Sequence, residues 1–222
     1  MDLLLIPDNP EHTKLVTTNG YQYYQVDTTK SRHGGQRKTL IQRFSSCAPS
    51  VVAEIDWGTL DRPTTLRSPL LPVNRPGCSN SRAAAYGGRP TGTVFATNFL
   101  YKKSQFSSSR YFLGNDFQEY RWKAVKGVGF LQLCNAQTNE EIARYTVALH
   151  SEGLYAGELK SRLRIQPLLG SNPLSIDLVV LSFLIMEKKR RERSGESSAM
   201  MAYHDEDPQG DGCADGDGGV GS

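Results

Sequence analysis

Between Pro173 and Arg193 the chain reads PLSIDLVVLSFLIMEKKRRER, and whatever fold it adopts must bury this stretch or give it to a membrane. From residue 174 to 186 the only polar side chains are Ser175, Asp177 and Ser182, and the run then passes without a linker into Glu187-Lys188-Lys189-Arg190-Arg191-Glu192-Arg193. No breaker interrupts it before Arg193, which is too long for a strand and predicts a helix. Asn172 can cap that helix and Pro173 suits its first position. Lys and Arg in the last turns complement the helix dipole, and Gly195 ends it. As a helix the apolar part spans about 20 Å, whereas a bilayer span needs about 20 residues. Asp177 and Ser182 make no polar stripe, so the helix is expected to be buried on all sides within protein. The alternative is a tail-anchored membrane protein inserted through residues 174–186.

The sequence before this helix has the rhythm of short strands. Tyr21, Tyr23, Tyr24 and Val26 form a β-favouring run, followed by a polar turn at residues 31–36 and a second strand at 39–44. Residues 51–57 alternate, placing Val51, Ala53, Ile55 and Trp57 on one face and Val52, Glu54 and Asp56 on the other. Residues 93–101 read as a strand. Gly114-Asn115-Asp116 is turn chemistry between strands at 110–113 and 118–124, the second with Tyr120 and Trp122 on one face and Arg121 and Lys123 on the other. Further strands are expected at 130–134 and 141–149, and the alternating Lys160, Arg162 and Arg164 mark another. Such spacing is that of an antiparallel meander closed as a barrel or sandwich.

The ends and one interior stretch break the pattern. Residues 1–16 contain Pro7 and Pro10 and no clear period, and are expected to be a flexible arm. Residues 58–92 hold five prolines and the arginines Arg62, Arg67, Arg75, Arg82 and Arg89, and read as a long loop, either a mobile insertion or a binding loop. Residues 194–222 are Gly-rich and acidic, with the composition of a disordered tail. The folded domain is therefore expected at 17–193. The net charge of +3 is uneven: all 26 basic side chains but only 16 of the 23 acids precede residue 194, so that part carries about +10. A basic body suits an anionic partner surface. The four cysteines (Cys47, Cys78, Cys134, Cys213) form no CxxC, and with no signal sequence or glycosylation sequon a reducing intracellular compartment is expected.

Three stretches, in order, resemble a family of uncharacterised fungal proteins known as DUF6593. Residues 52–57, V-A-E-I-D-W, resemble its A-x-I-x-W strand. Ser109-Arg110-Tyr111-Phe112 followed by Glu119-Tyr120-Arg121-Trp122-Lys123 resembles its R-x-F…Y-R-W-K hairpin. Asp177, Val179, Val180, Phe183, Glu187, Lys188, Arg190 and Arg191 resemble its closing D-x-I-V-x-T-F-x-x-x-E-K-x-R-R segment. Asn115-Asp116-Phe117 departs from the pattern, standing where the family turns with Asp-Gly. The arrangement is similar to the tubby-like fold of tubby proteins, phospholipid scramblases and LURP-one-related proteins. That likeness implies a mainly β protein: a closed antiparallel barrel of about twelve strands around one C-terminal hydrophobic helix. It implies no activity.

No catalytic or metal-binding set emerges from the residues. His12, His33, His150 and His204 are scattered, and no nucleophile elbow or metal-ligand spacing is present. Glu54 and Asp56 read as solvent-facing or paired to an Arg. Tyr120 and Trp122 read as core aromatics. The sharpest candidate is the cluster Lys188, Lys189, Arg190, Arg191 and Arg193. It could bind anionic lipid headgroups, serve as a nuclear-targeting signal, or be a solvated helix end. The expectation is a non-enzymatic, monomeric cytoplasmic module without a cofactor, binding an anionic lipid or membrane surface rather than nucleic acid. A protein-interaction scaffold with nuclear targeting is the alternative.

Overall fold

A computed structural model of the chain describes residues 1–30, 37–45, 48–59, 62–71, 92–125, 130–167 and 173–194. Expectations for the tail beyond residue 194, for the turn at 31–36, for Asn172 as a cap and for most of the 58–92 loop lie outside them. The chain divides into two compact units, Met1–Lys188 and Lys189–Ser222. The first contains strands β1 (Asp2–Ile6), β2 (His12–Val16), β3 (Gln22–Lys30), β4 (Arg37–Arg43), β5 (Ser50–Trp57), β6 (Thr65–Ser68) and β7 (Gly92–Phe95), then a one-turn helix α1 (Ala96–Phe99). Next come β8 (Arg110–Leu113), β9 (Glu119–Val125), β10 (Phe130–Asn135), β11 (Glu141–Leu149) and β12 (Leu159–Ile165). Helix α2 (Ile176–Ser194) begins in the first unit, and its last turns are the described part of the second.

The strands form one antiparallel sheet in the order β7-β6-β5-β4-β3-β2-β1-β12-β11-β10-β9-β8. The expected closed barrel is not formed: β7 and β8 are the two ends of this order, and no ladder joins them among the described residues. The cause is local. After Phe95 the chain does not continue as a strand to Tyr101 but winds through α1, closed by the Leu100 N–H donating to the Ala96 carbonyl at 2.9 Å. Helix α1 packs against both β7 and β8 where ladder bonds would otherwise run. Phe99 is buried there with its ring 5.7 Å from that of Phe112. The chain rejoins β8 only at Tyr101, which exchanges two backbone hydrogen bonds of 2.9 Å with Tyr111.

Three further expectations are corrected. The N-terminal sixteen residues are not a flexible arm: β1 lies in the middle of the sheet between β2 and β12. Leu3, Leu4 and Leu5 are all 1% exposed or less, so both faces of β1 are covered. The stretch 58–92 is not all loop, because β6 pairs with β5 and β7. Residues 51–57 do not alternate throughout. Val52 is an extra residue in the β4–β5 ladder, since Ile41 pairs with Ala53 and Gln42 with Val51. This bulge turns Val51 outward (46% exposed) and buries Val52 beside Ala53.

Helix α2 is the core, as expected. Every residue from 178 to 187 is buried, which covers all faces of the helix. Its apolar side chains join inward-facing residues of nearly every strand in one cluster, among them Leu3, Tyr24, Ile41, Ile55, Trp122 and Tyr145. Each such side chain is worth about 1.5–3 kcal/mol on burial. No helix among the described residues is long and apolar enough to cross a membrane. The helix starts at Ile176 rather than Pro173. Its entry is held by Asn115 of the β8–β9 turn, which donates to the Pro173 carbonyl at 3.0 Å and accepts from the Ser175 N–H at 2.6 Å.

Candidate functional site

Of the three polar residues inside the apolar run, Asp177 and Ser182 each have a side-chain partner on the sheet. The Asp177 carboxylate accepts from the Tyr24 hydroxyl at 2.6 Å and pairs with Arg43 at 3.3 Å. Burial, with the Asp177 charge and hydrogen bond, pushes the Tyr24 hydroxyl far above the usual tyrosine range. Ser182 accepts from the Trp122 indole at 2.9 Å. These are structural contacts that set the rotation and depth of the helix.

The five basic residues at the end of α2 do not make one exposed patch. Lys188 and Arg191 are buried (5% and 6% exposed), Lys189 and Arg190 are half-buried, and Arg193 is exposed. The Lys188 ammonium lies 4.4 Å from the centre of the Trp57 ring and 3.6 Å from Glu11 Oε1. Glu11 also binds Arg37, and the Trp57 indole donates to Thr39 at 2.6 Å. Lys188 is thus tied into the fold by a cation–π contact and an ion pair.

The other sequence candidates are dispersed. His12 lies exposed on β2 and His150 is buried at the end of β11, while His33 and His204 fall outside the described residues. Glu54 pairs with Lys38 at 2.7 Å. Tyr120 and Trp122 are buried core aromatics (4% and 0% exposed). Burial raises the pKa of the Cys134 thiol, outweighing the nearby Lys123 and Arg121, which suits a core thiol rather than a nucleophile. Among the described residues no group of three His, Cys, Asp or Glu could hold a metal ion.

A second charged cluster lies on the outer face of β9–β12. Strand register places Lys123 opposite Gln132, Gln132 opposite Arg144, Arg144 opposite Arg164 and Arg164 opposite Asp2. Arg162, two residues before Arg164, points the same way and faces Thr146. Arg144, Arg162 and Arg164 line a shallow concavity of about 210 Å³ with Glu141, Thr146 and Gln166. Two carboxylates serve them: Glu141 holds Arg144 at 2.5 Å, and Asp2 holds Arg164 at 3.1 Å and Arg162 at 3.4 Å. The Arg162 Nε has no hydrogen-bond partner. Burial alone would raise the Glu141 pKa, but hydrogen bonds from Arg144 and Gln132 and the charges of Arg144 and Lys123 hold it below the usual range. The Lys160-Arg162-Arg164 alternation is visible in the sequence. That Arg144 stands beside it follows only from the pairing of β11 with β12.

No curated protein and no solved structure matches the chain. Residues 8–192, spanning all but the first strand and the tail, match the model of a family of unknown function, DUF6593. With that match over most of its length, the chain belongs to the DUF6593 family.

Proposed function

We propose that this domain is a non-catalytic module that binds an anionic membrane surface through the outer face of β11 and β12. The observation that carries the reading is the juxtaposition of Arg144, Arg162 and Arg164 around one concavity with, among the described residues, Asp2 and Glu141 as their ion-pair partners. Arg144 and Arg164 are about half exposed. Asp2 and Glu141 are only 24% and 23% exposed, but the arginine side of each pair stays open to water, so a lipid phosphate can reach Arg144 and Arg164 without displacing either carboxylate. Arginine presents several N–H donors in a plane that fits a phosphate. Each basic residue near an anionic membrane adds about 1 kcal/mol. In this reading the contact surface is the sheet, and the end of α2 plays a lesser part because Lys188 is already engaged in the fold.

Co-sedimentation with phosphatidylserine vesicles and with pure phosphatidylcholine vesicles tests this. Binding to the first at low salt, weakened by salt and reduced about fivefold or more by Arg144→Gln with Arg164→Gln, is the expected result. Equal binding to both vesicles, or none to either, overturns it.

A further inference from the structure

The open seam between β7 and β8 contains a pocket of about 280 Å³. Its walls are Leu70 and Leu71 after β6, Val94 of β7, Phe99 of α1 and Leu113 of β8, and Leu178 in the first turn of α2 reaches it from the core. None of the lining residues is charged, and Asn98 and Asn115 supply its polar side chains. The Asn115 amide is already occupied at both ends, by the Pro173 carbonyl and the Ser175 N–H. A charged group entering the pocket would lose hydration with no opposite charge in the lining to meet it, whereas an apolar group loses nothing. A water molecule occupies about 30 Å³ of liquid, so the space suits roughly nine groups of methylene size.

Phe117, which also lines the pocket, gives a second and independent sign. Its φ is +62°, a conformation that bulky side chains rarely adopt, and the residue is 81% exposed. The turn is held in that shape. The Phe117 N–H donates to the Gly114 carbonyl at 3.2 Å, and Asp116 accepts from the Gln118 N–H at 3.1 Å and from the Tyr120 hydroxyl at 2.6 Å. A glycine at this position would relieve the backbone strain and remove the exposed side chain. Strain held by its surroundings at the edge of a cavity points to use by a ligand.

We propose that the seam pocket binds the neutral alkyl chain of a small amphiphile, with Phe117 folding over the inserted chain at the rim and the polar end left in water. The site is independent of the arginine face and survives if that reading fails. The test is a series of straight-chain alcohols from butanol to dodecanol, titrated against the full chain by ligand-detected NMR and by thermal melting. Affinity is expected to rise about fourfold per methylene and to level off near nine carbons. Phe117→Gly should weaken binding about fivefold or more without lowering the melting temperature, and Val94→Phe should block the pocket. If Val94→Phe fails to fold, the glycine variant alone decides. Overturning results are the absence of saturable binding by any alcohol, an affinity indifferent to chain length, or full binding by Phe117→Gly. Tight binding of naphthalene with none of the alcohols would likewise overturn the assignment to an alkyl chain.

Discussion

The indole Nε1 of Trp122 on β9 donates to Ser182 Oγ on α2 at 2.9 Å, and both residues are fully buried. Ser182 in turn donates to the Val179 carbonyl at 3.0 Å. The Phe183 ring lies 6.1 Å from Trp122 and 5.0 Å from Tyr145. One polar residue in an apolar helix therefore fixes which face the helix turns to the wall. Ser182→Ala leaves the indole N–H unpaired and should cost about 2 kcal/mol. Adding Trp122→Phe should give a double variant less destabilised than the sum of the two singles. Urea denaturation of the four proteins measures this, and strict additivity would show that the bond does not position the helix.

Val180 lies in the second turn of the same helix with no exposed surface. Val180→Asp places a carboxylate in the fully buried apolar cluster, and the expected loss is about 4 kcal/mol or more. A variant melting with the wild type would show that α2 is not core.

The N-terminal strand gives a different test. β1 is hydrogen-bonded to β2 on one side and β12 on the other. Deleting residues 1–16 removes both β1 and β2 and leaves β3 and β12 as bare edges facing a gap in mid-sheet. The truncated chain should be unfolded or aggregated by circular dichroism and gel filtration. The milder Leu5→Ala should cost about 2–4 kcal/mol. A truncated chain with native circular dichroism would mean that these strands are dispensable.

What could be read from the sequence follows from physical pattern. The buried helix was legible because its apolar run is long and has no polar stripe. The β9 aromatics were legible because Tyr120 and Trp122 alternate with Arg121 and Lys123 on a strand with one wet face. β1 was not, because Leu3, Leu4 and Leu5 are buried on both faces, and such a strand shows no alternation. β6 was hidden because its four residues contain one apolar side chain, Leu66, among polar ones. The open seam was hidden because Ala96-Thr97-Asn98-Phe99 lies between the β-favouring Thr93-Val94-Phe95 and Leu100-Tyr101 with no Gly or Pro to mark a break. The arginine concavity depends on Arg144 and Arg164 meeting across two strands, and register is not written in either strand alone.

Glu141 links stability and binding on that face. Its folded carboxyl pKa lies below the ordinary 4.5. A depressed carboxylate stabilises the fold above its unfolded pKa, and that contribution is lost as pH falls through the folded value. Glu141→Gln should therefore be less stable than wild type at pH 7, with the difference closing below about pH 4.5. The same change removes the carboxylate holding Arg144 and should strengthen binding to phosphatidylserine vesicles. Thermal melts across pH, with vesicle co-sedimentation, check both. A gap that widens in acid would mean that Glu141 does not stabilise the fold as a carboxylate.

Lys188 and Arg193 belong to the same basic run, yet their surroundings give them different expected roles. Lys188 is buried with its ammonium between Trp57 and Glu11, whereas Arg193 is exposed near the end of α2. Lys188→Ala removes a cation–π contact and an ion pair and leaves Glu11 with less compensation, for an expected loss of about 2 kcal/mol. Arg193→Ala should stay within about 0.5 kcal/mol of wild type, as surface substitutions do. Denaturant midpoints separate the two. Equal, negligible losses would return Lys188 to the pool of exposed charges and reopen the helix end as the anion-binding surface.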